Sequence, residues 1–182
     1  SGMDKVFFGN SGAEAVEAAI KISRLHGHAQ GIEEPKVIVL EGAFHGRTMA
    51  TLSASSARRV QAGFEPLVPG FIRAPFNDIA AIEQMASERS DIAAILLEPI
   101  QGSGGVRVPS TEYLTQIRTL CQQHHWLMML DEVQCGMGRT GRYFAFQHHA
   151  IHPDVLCTAK ALGAGIPIGA CLTKGIANDY LG

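Results

Sequence analysis

Trp126-Leu127-Met128-Met129-Leu130-Asp131-Glu132-Val133-Gln134 is the stretch on which the fold turns. Five apolar residues in a row, closed by two acids, have the length and aliphatic content of a strand in a sheet covered by helices. Four more runs share that form: Val37-Ile38-Val39-Leu40, Ala93-Ala94-Ile95-Leu96-Leu97, Val155-Leu156-Cys157 and Ile168-Gly169-Ala170-Cys171-Leu172. Helical spacing fills the intervals. Residues Ala13 to Leu25 place Ala15, Ala18, Ile22 and Leu25 on one stripe. Glu14 and Glu17 stand in the first turn, where the helix dipole favours carboxylates, and Ser11 is placed to cap it. Ile79 to Ser87 forms a second helix. Thr111 to Gln123 forms a third, striped by Tyr113, Leu114, Ile117, Leu120 and Cys121, with Ser110 as its cap. Strand and helix in alternation predict the α/β class: a mainly parallel sheet flanked by helices. No repeat, low-complexity tract or linker interrupts residues 1–182, which read as one domain.

Composition narrows the partners. The chain has 182 residues, 46% of them hydrophobic, enough to bury a core, and a formal charge of −2 without a basic stripe. Nucleic acid is excluded on electrostatic grounds, and a small molecule is the expected partner. Cys121, Cys135, Cys157 and Cys171 lack the C-x-x-C spacing of a zinc or redox site. Reduced thiols and a cytoplasmic location follow as expectations, with the mitochondrial matrix left open. No run approaches the roughly 20 apolar residues of a membrane span.

In open parallel sheets, ligands lie beyond the carboxyl ends of the strands, so the residues after each run come first. They are polar. Leu40 is followed by Glu41-Gly42-Ala43-Phe44-His45-Gly46-Arg47, Leu97 by Glu98-Pro99-Ile100-Gln101-Gly102, and Cys157 by Thr158-Ala159-Lys160. A lysine and an aspartate on that edge, with Asn10-Ser11-Gly12-Ala13 opening a helix whose free N–H groups receive an anion, meet the demands of pyridoxal-phosphate (PLP) chemistry. That chemistry asks for an imine-forming amine, an acid to keep the pyridine nitrogen protonated, and a phosphate cradle.

Three other readings fail on their own terms. Gly136-Met137-Gly138-Arg139-Thr140-Gly141 matches the letters of a dinucleotide fingerprint, yet Arg142-Tyr143-Phe144 follows where a helix should open, so a turn-rich loop is predicted. Neither His124-His125 nor His148-His149-x-x-His152 has the i, i+4 pair with an intervening glutamate of a zinc protease helix. A G-x-S-x-G elbow is absent.

The chain resembles the class III, fold type I, PLP-dependent aminotransferases, and most closely the acetylornithine, ornithine and 4-aminobutyrate group. The motifs that carry the resemblance occur in family order along nearly the whole chain: Phe7-Phe8-Gly9-Asn10-Ser11-Gly12-Ala13-Glu14-Ala15, Phe44-His45-Gly46-Arg47, Gly63 to Gly70, Glu98-Pro99-Ile100-Gln101-Gly102, Asp131-Glu132-Val133-Gln134 and Ala159-Lys160-Ala161-Leu162-Gly163. The resemblance implies that Lys160 holds PLP as an imine and then serves as the base, and that Asp131 pairs with the ring nitrogen. It implies that Ser11, Gly12 and Ala13 receive the phosphate, that Phe44 and Val133 pack on the two ring faces, that Gln134 reaches the phenolic oxygen, and that His45 is among the cofactor-binding residues. Arg47, Glu98 and Ser103 fall on the substrate side, Glu98 as an acid behind the site.

The implied reaction moves an amino group from an ω-amino donor to a 2-oxo acid, in a homodimer once full length. Where family members read Gln-Gly-Glu-Gly-Gly, this chain has Gln101-Gly102-Ser103-Gly104-Gly105. The serine resembles the pyruvate-using ω-transaminases and implies a weaker preference for 2-oxoglutarate. The family's N-terminal segment, its small C-terminal domain and its second phosphate-binding loop find no counterpart here. Two alternatives therefore stand beside transamination: a class III racemase or aminomutase, and a truncated, noncatalytic chain.

Overall fold

A computed structural model describes residues 1–181. The first strand, β1 (Lys5–Gly9), leads into α1 (Gly12–Ala29), followed by β2 (Lys36–Leu40) and the short helices α2 (Met49–Ala54) and α3 (Arg58–Gln61). Next come β3 (Phe71–Ala74), α4 (Ile79–Glu88), β4 (Ile92–Leu97), α5 (Tyr113–His124), β5 (Leu127–Asp131), β6 (Val155–Thr158) and β7 (Gly169–Thr173). The seven strands form one sheet in the order β1-β7-β6-β5-β4-β2-β3.

The predicted class holds: strands β3, β2, β4, β5 and β6 run parallel, while β7 is antiparallel to both neighbours. Because β7 reverses, its first residue, Gly169, lies beside Gly9 at the end of β1 and one step from Thr158 at the end of β6. The edge bearing the carboxyl ends of six strands therefore also bears the start of the seventh.

Alternate residues of the sheet feed two cores. On one face α1 packs Ala15, Val16, Ala19 and Ile22 against Val37, Val39, Leu96, Met129 and Cys157. On the other, α4 and α5 pack Ile82, Leu114 and Ile117 against Ile38, Ile95, Met128 and Leu130. Burial on both faces explains why β4 and β5 read as unbroken apolar runs. No helix among the described residues is long and apolar enough to cross a membrane. All four cysteines are buried and free.

The structure departs from the sequence reading in four places. Leu25 is 51% exposed. The buried face of α1 keeps Ala15 and Ile22 of the predicted stripe and adds Val16, Ala19, Ile20 and Ser23, the side that packs on the sheet. Ser110 is not the side-chain cap of α5; its carbonyl accepts from Tyr113 N, and Glu112 takes the cap position. Ser11 does cap α1, accepting from Glu14 N at 3.2 Å. Strands β1 and β3 were not anticipated: both are sheet edges, β1 being largely exposed and β3 only four residues long with an exposed Arg73.

Candidate active site

The carboxyl edge of the sheet opens into a cavity of about 380 Å³. Into it come Ser11, Gly12 and Ala13 from the start of α1, Phe44, His45 and Arg47 after β2, and Glu98 after β4. Asp131, Val133 and Gln134 after β5, and Lys160 after β6, complete the predicted set. Ser103 stands apart, exposed on the turn beyond Gly102 and outside the cavity wall.

Each loop is held by specific contacts. The His45 imidazole, wholly buried, meets Asp131 Oδ2 through Nδ1 at 2.8 Å, while its backbone N–H donates to Ser55 Oγ at 2.9 Å. Asp131 Oδ1 accepts from Val133 N at 3.1 Å. His45 Nε2 is buried and finds no polar partner among the described residues. Glu98 accepts from Phe44 N at 3.0 Å and from Gly102 N at 3.3 Å, joining the loop after β2 to its own. Gln101 strengthens that junction by donating to Glu41 O at 2.9 Å. Burial, reinforced by the nearby Asp131 charge, pushes the Glu98 carboxyl above the usual carboxylate range.

Two glycines are required by close approach. A β-carbon on Gly102 would lie 2.1 Å from Gln134 Oε1, so the backbone there is what seats the Gln134 amide. A β-carbon on Gly169 would lie 2.0 Å from Ser11 O, which lets the start of β7 support the start of α1. With Glu14 N taken by Ser11 Oγ, the Gly12 and Ala13 amides have no acceptor among the described residues.

Lys160 is exposed and has φ +48°, a left-handed backbone that costs a non-glycine residue about 1–3 kcal/mol. The short 3-10 turn Lys160–Gly163 holds it there, with Leu162 N bonded to Ala159 O at 3.0 Å. Beneath the loop, Glu132 is fully buried and accepts from Ala145 N at 2.6 Å and Phe146 N at 2.8 Å. Burial raises its carboxyl to about 7.

Asn10 and Ala159, both within the quoted motifs, line the wall, whereas sequence reasoning missed one further part of it, the turn Ile166-Pro167-Ile168. That turn precedes β7 rather than following a strand, so a search of strand carboxyl ends could not reach it. It also missed Ser55, whose hydroxyl orients His45 from ten residues away in the chain. The Gly136–Gly141 segment is a run of turns, as its sequence predicts. Among the described residues, no cluster of histidine, cysteine or acidic side chains is arranged to hold a metal.

PLP fits what is present. Free amides at a helix start face the cavity, and a β-carbon on Gly12 would fill that cradle, meeting Val133 at 2.8 Å. A buried carboxylate and an exposed lysine amine share the same wall. A mainly parallel α/β sheet with this trio at its carboxyl edge defines the large domain of the fold type I PLP enzymes.

Comparison with known proteins gives the family. The sequence matches Aminotransferase class-III over residues 1–180, and the chain belongs to that PLP-dependent family. It is 58% identical over 179 residues to the acetylornithine aminotransferase of Nitrosomonas europaea, covering 98% of this chain and 46% of that protein. The ornithine aminotransferase of Toxoplasma gondii ME49 superposes with a TM-score of 0.95 at 38% identity, over 100% of this chain and 44% of that one. A second structure of that Toxoplasma gondii enzyme, with PLP at partial occupancy in its active site, matches with a TM-score of 0.94, 38% identity and the same coverage. The chain thus spans about half the length of the relatives it matches. Their names are those of aminotransferases, which leaves the racemase or aminomutase alternative without support.

Proposed function

We propose that this chain forms the cofactor-binding core of a PLP-dependent aminotransferase that moves an amino group from an ω-amino donor, of the acetylornithine, ornithine or 4-aminobutyrate kind, to a 2-oxo acid. The observation that carries the reading is the convergence of Lys160, Asp131 and the Gly12 and Ala13 amides on one cavity. When bound, PLP supplies an electron sink for the pair left at the donor carbon as its proton departs.

The chain's own groups do the rest. The Gly12 and Ala13 amides, at the positive end of α1, bind the phosphate. Asp131, steadied by His45 and Val133 N, holds a proton on the pyridine nitrogen by opposite charge. Phe44 and Val133 line the cavity where they would flank the ring, and Gln134 would reach its phenolic oxygen. Lys160 Nζ would hold the cofactor covalently and, once displaced by the donor amine, would accept the proton that leaves the donor carbon. Arg47, exposed at the mouth, offers a cation to the donor, and Glu98 ties the loops that bear Phe44 and Gln134.

The full-length protein is read as a homodimer. The apolar edge strand β1, with Phe8 61% exposed, supports a surface covered in an assembly. Sizing in solution tests this, and a monomer refutes it. The catalytic reading is tested by borohydride reduction of the PLP-loaded full-length protein and peptide mapping. The adduct is expected on Lys160, and Lys160→Ala is expected to abolish both adduct and transamination; an adduct mapped to another residue overturns the assignment.

A further inference from the structure

The loop after β2 hangs largely from side chains. Gly42 N donates to Ser56 Oγ at 2.6 Å, Phe44 N to Glu98 Oε1 at 3.0 Å and His45 N to Ser55 Oγ at 2.9 Å. Of these acceptors, Ser55 is the one that holds the residue touching Asp131. His45 needs that support. Its imidazole is wholly buried and makes one polar contact among the described residues, Nδ1 to Asp131 Oδ2 at 2.8 Å. Nε2 finds no partner there, so nothing polar on the far side of the ring fixes its place. Facing a carboxylate, Nδ1 donates, the tautomer that leaves Nε2 an unmatched acceptor. A small rotation of the ring takes the donor away from a buried carboxylate, a loss larger than that of a neutral hydrogen bond.

Ser55 is itself held at every polar group. Fully buried, it donates Oγ–H to Thr51 O at 2.8 Å, which leaves an oxygen lone pair for the His45 amide. Its own N–H donates to Thr51 O at 3.0 Å. Its carbonyl accepts from Gln61 Nε2 at 2.6 Å and from Arg73 Nη2 at 2.8 Å. Arg73 comes from the edge strand β3 and also donates to Ser53 O at 2.7 Å, so a cation closes the carboxyl end of α2. The hydroxyl is therefore a fixed point, tied through β3 to the sheet that also carries Asp131.

We propose that Ser55 is a positioning residue for transamination: acting through His45, it keeps the Nδ1 donor on Asp131, the acid that holds the proton of the cofactor's ring nitrogen. The proposal rests on the reading of Asp131 as that acid. Removing the hydroxyl leaves the His45 amide without its acceptor, the ring shifts, and Asp131 keeps only the Val133 amide among the described residues. Ser56, one residue on, supports Gly42 and bonds to neither His45 nor Asp131, which makes it the control.

The test uses the full-length protein, PLP-free and PLP-loaded, as wild type, Ser55→Ala and Ser56→Ala, with urea denaturation to confirm folding. In PLP-free protein carrying isotope-labelled histidine, the hydrogen-bonded imidazole N–H of His45 gives a downfield NMR signal, assigned by its absence in His45→Asn. Ser55→Ala is expected to shift or broaden that signal. In the loaded protein it is expected to lower kcat about tenfold, with the donor KM within about twofold, and to displace the pH profile by about half a unit or more. Ser56→Ala is expected to lower the urea midpoint and leave the signal and the profile as in wild type. In a His45→Ala background, Ser55→Ala is expected to change kcat less than about twofold, since no ring is left to place. A wild-type signal and profile in Ser55→Ala, an equal displacement in Ser56→Ala, or independent losses in the double variant overturn the proposal. If no amine is transaminated, the functional reading fails on its own, and the imidazole signal decides the positioning role: an unchanged signal in Ser55→Ala overturns it.

Discussion

Replacing Gly12 with alanine puts a methyl group 2.8 Å and 2.9 Å from the two γ-carbons of Val133 and 3.4 Å from the β-carbon of Ala159. Carbon atoms rest at about 3.5–4.0 Å, so Val133 has to retreat by most of an ångström. It is poorly placed to do so. Its β-branched side chain has few χ1 options, and its backbone N–H is fixed on Asp131 Oδ1 at 3.1 Å. Overpacking of this kind costs about 1–3 kcal/mol. The backbone at Gly12 is not left-handed, so alanine brings no strain of its own and returns up to about 1 kcal/mol of helix propensity. Global stability is therefore expected to fall by about 2 kcal/mol or less. The displacement acts at the phosphate cradle and on a ring face, so PLP affinity is expected to drop about tenfold or more, each decade being about 1.4 kcal/mol. The assay is a PLP absorbance titration of the apo full-length protein for wild type, Gly12→Ala, Val133→Ala and the double variant, alongside urea denaturation. Val133→Ala removes the methyl groups in the way, so the double variant is expected to bind better than the sum of the single losses allows. Wild-type affinity in Gly12→Ala, or strictly additive losses, would refute the account of this cradle.

Glu132 makes stability depend on pH. Burial raises its carboxyl from 4.5 to about 7. Its favourable contribution is thus present below about pH 4.5 and lost as pH rises through about 7, on the order of 3 kcal/mol at about 1.4 per unit. Urea midpoints between pH 5 and 8 are expected to fall with pH in the wild type and to flatten in Glu132→Gln; Glu98, also raised by burial, leaves a residual slope of the same sign. Parallel slopes would refute this. His45→Ala removes the donor from buried Asp131 Oδ2, and an unmade hydrogen bond there costs about 1–3 kcal/mol. A lowered kcat with a displaced pH profile is expected, partly restored in His45→Asn; a wild-type profile in His45→Ala would count against the pairing. Pyruvate is expected to match or exceed 2-oxoglutarate as acceptor if Ser103 tunes this choice, and a strong 2-oxoglutarate preference in steady-state rates would remove Ser103 from the account.

The linear sequence determined the class of fold and most of the site. The apolar runs ending in Asp131 and Cys157 are buried on both faces, and such strands carry their signal without neighbours. Ser11 could be read as a cap because capping is local, spanning the three residues to Glu14. Edge strands β1 and β3 escaped because half-exposed backbone asks little of its side chains. Only the tertiary structure decided which groups touch. His45 and Asp131 are 86 residues apart and meet at 2.8 Å because β4 lies between β2 and β5. The reversal of β7 brought Ile166, Pro167 and Ile168 to an edge where no strand end announced them. The same long-range packing set Ser103 outside the cavity. Spacing along a chain cannot foretell such distances, because they depend on strand order and on loops pinned by groups far away in sequence.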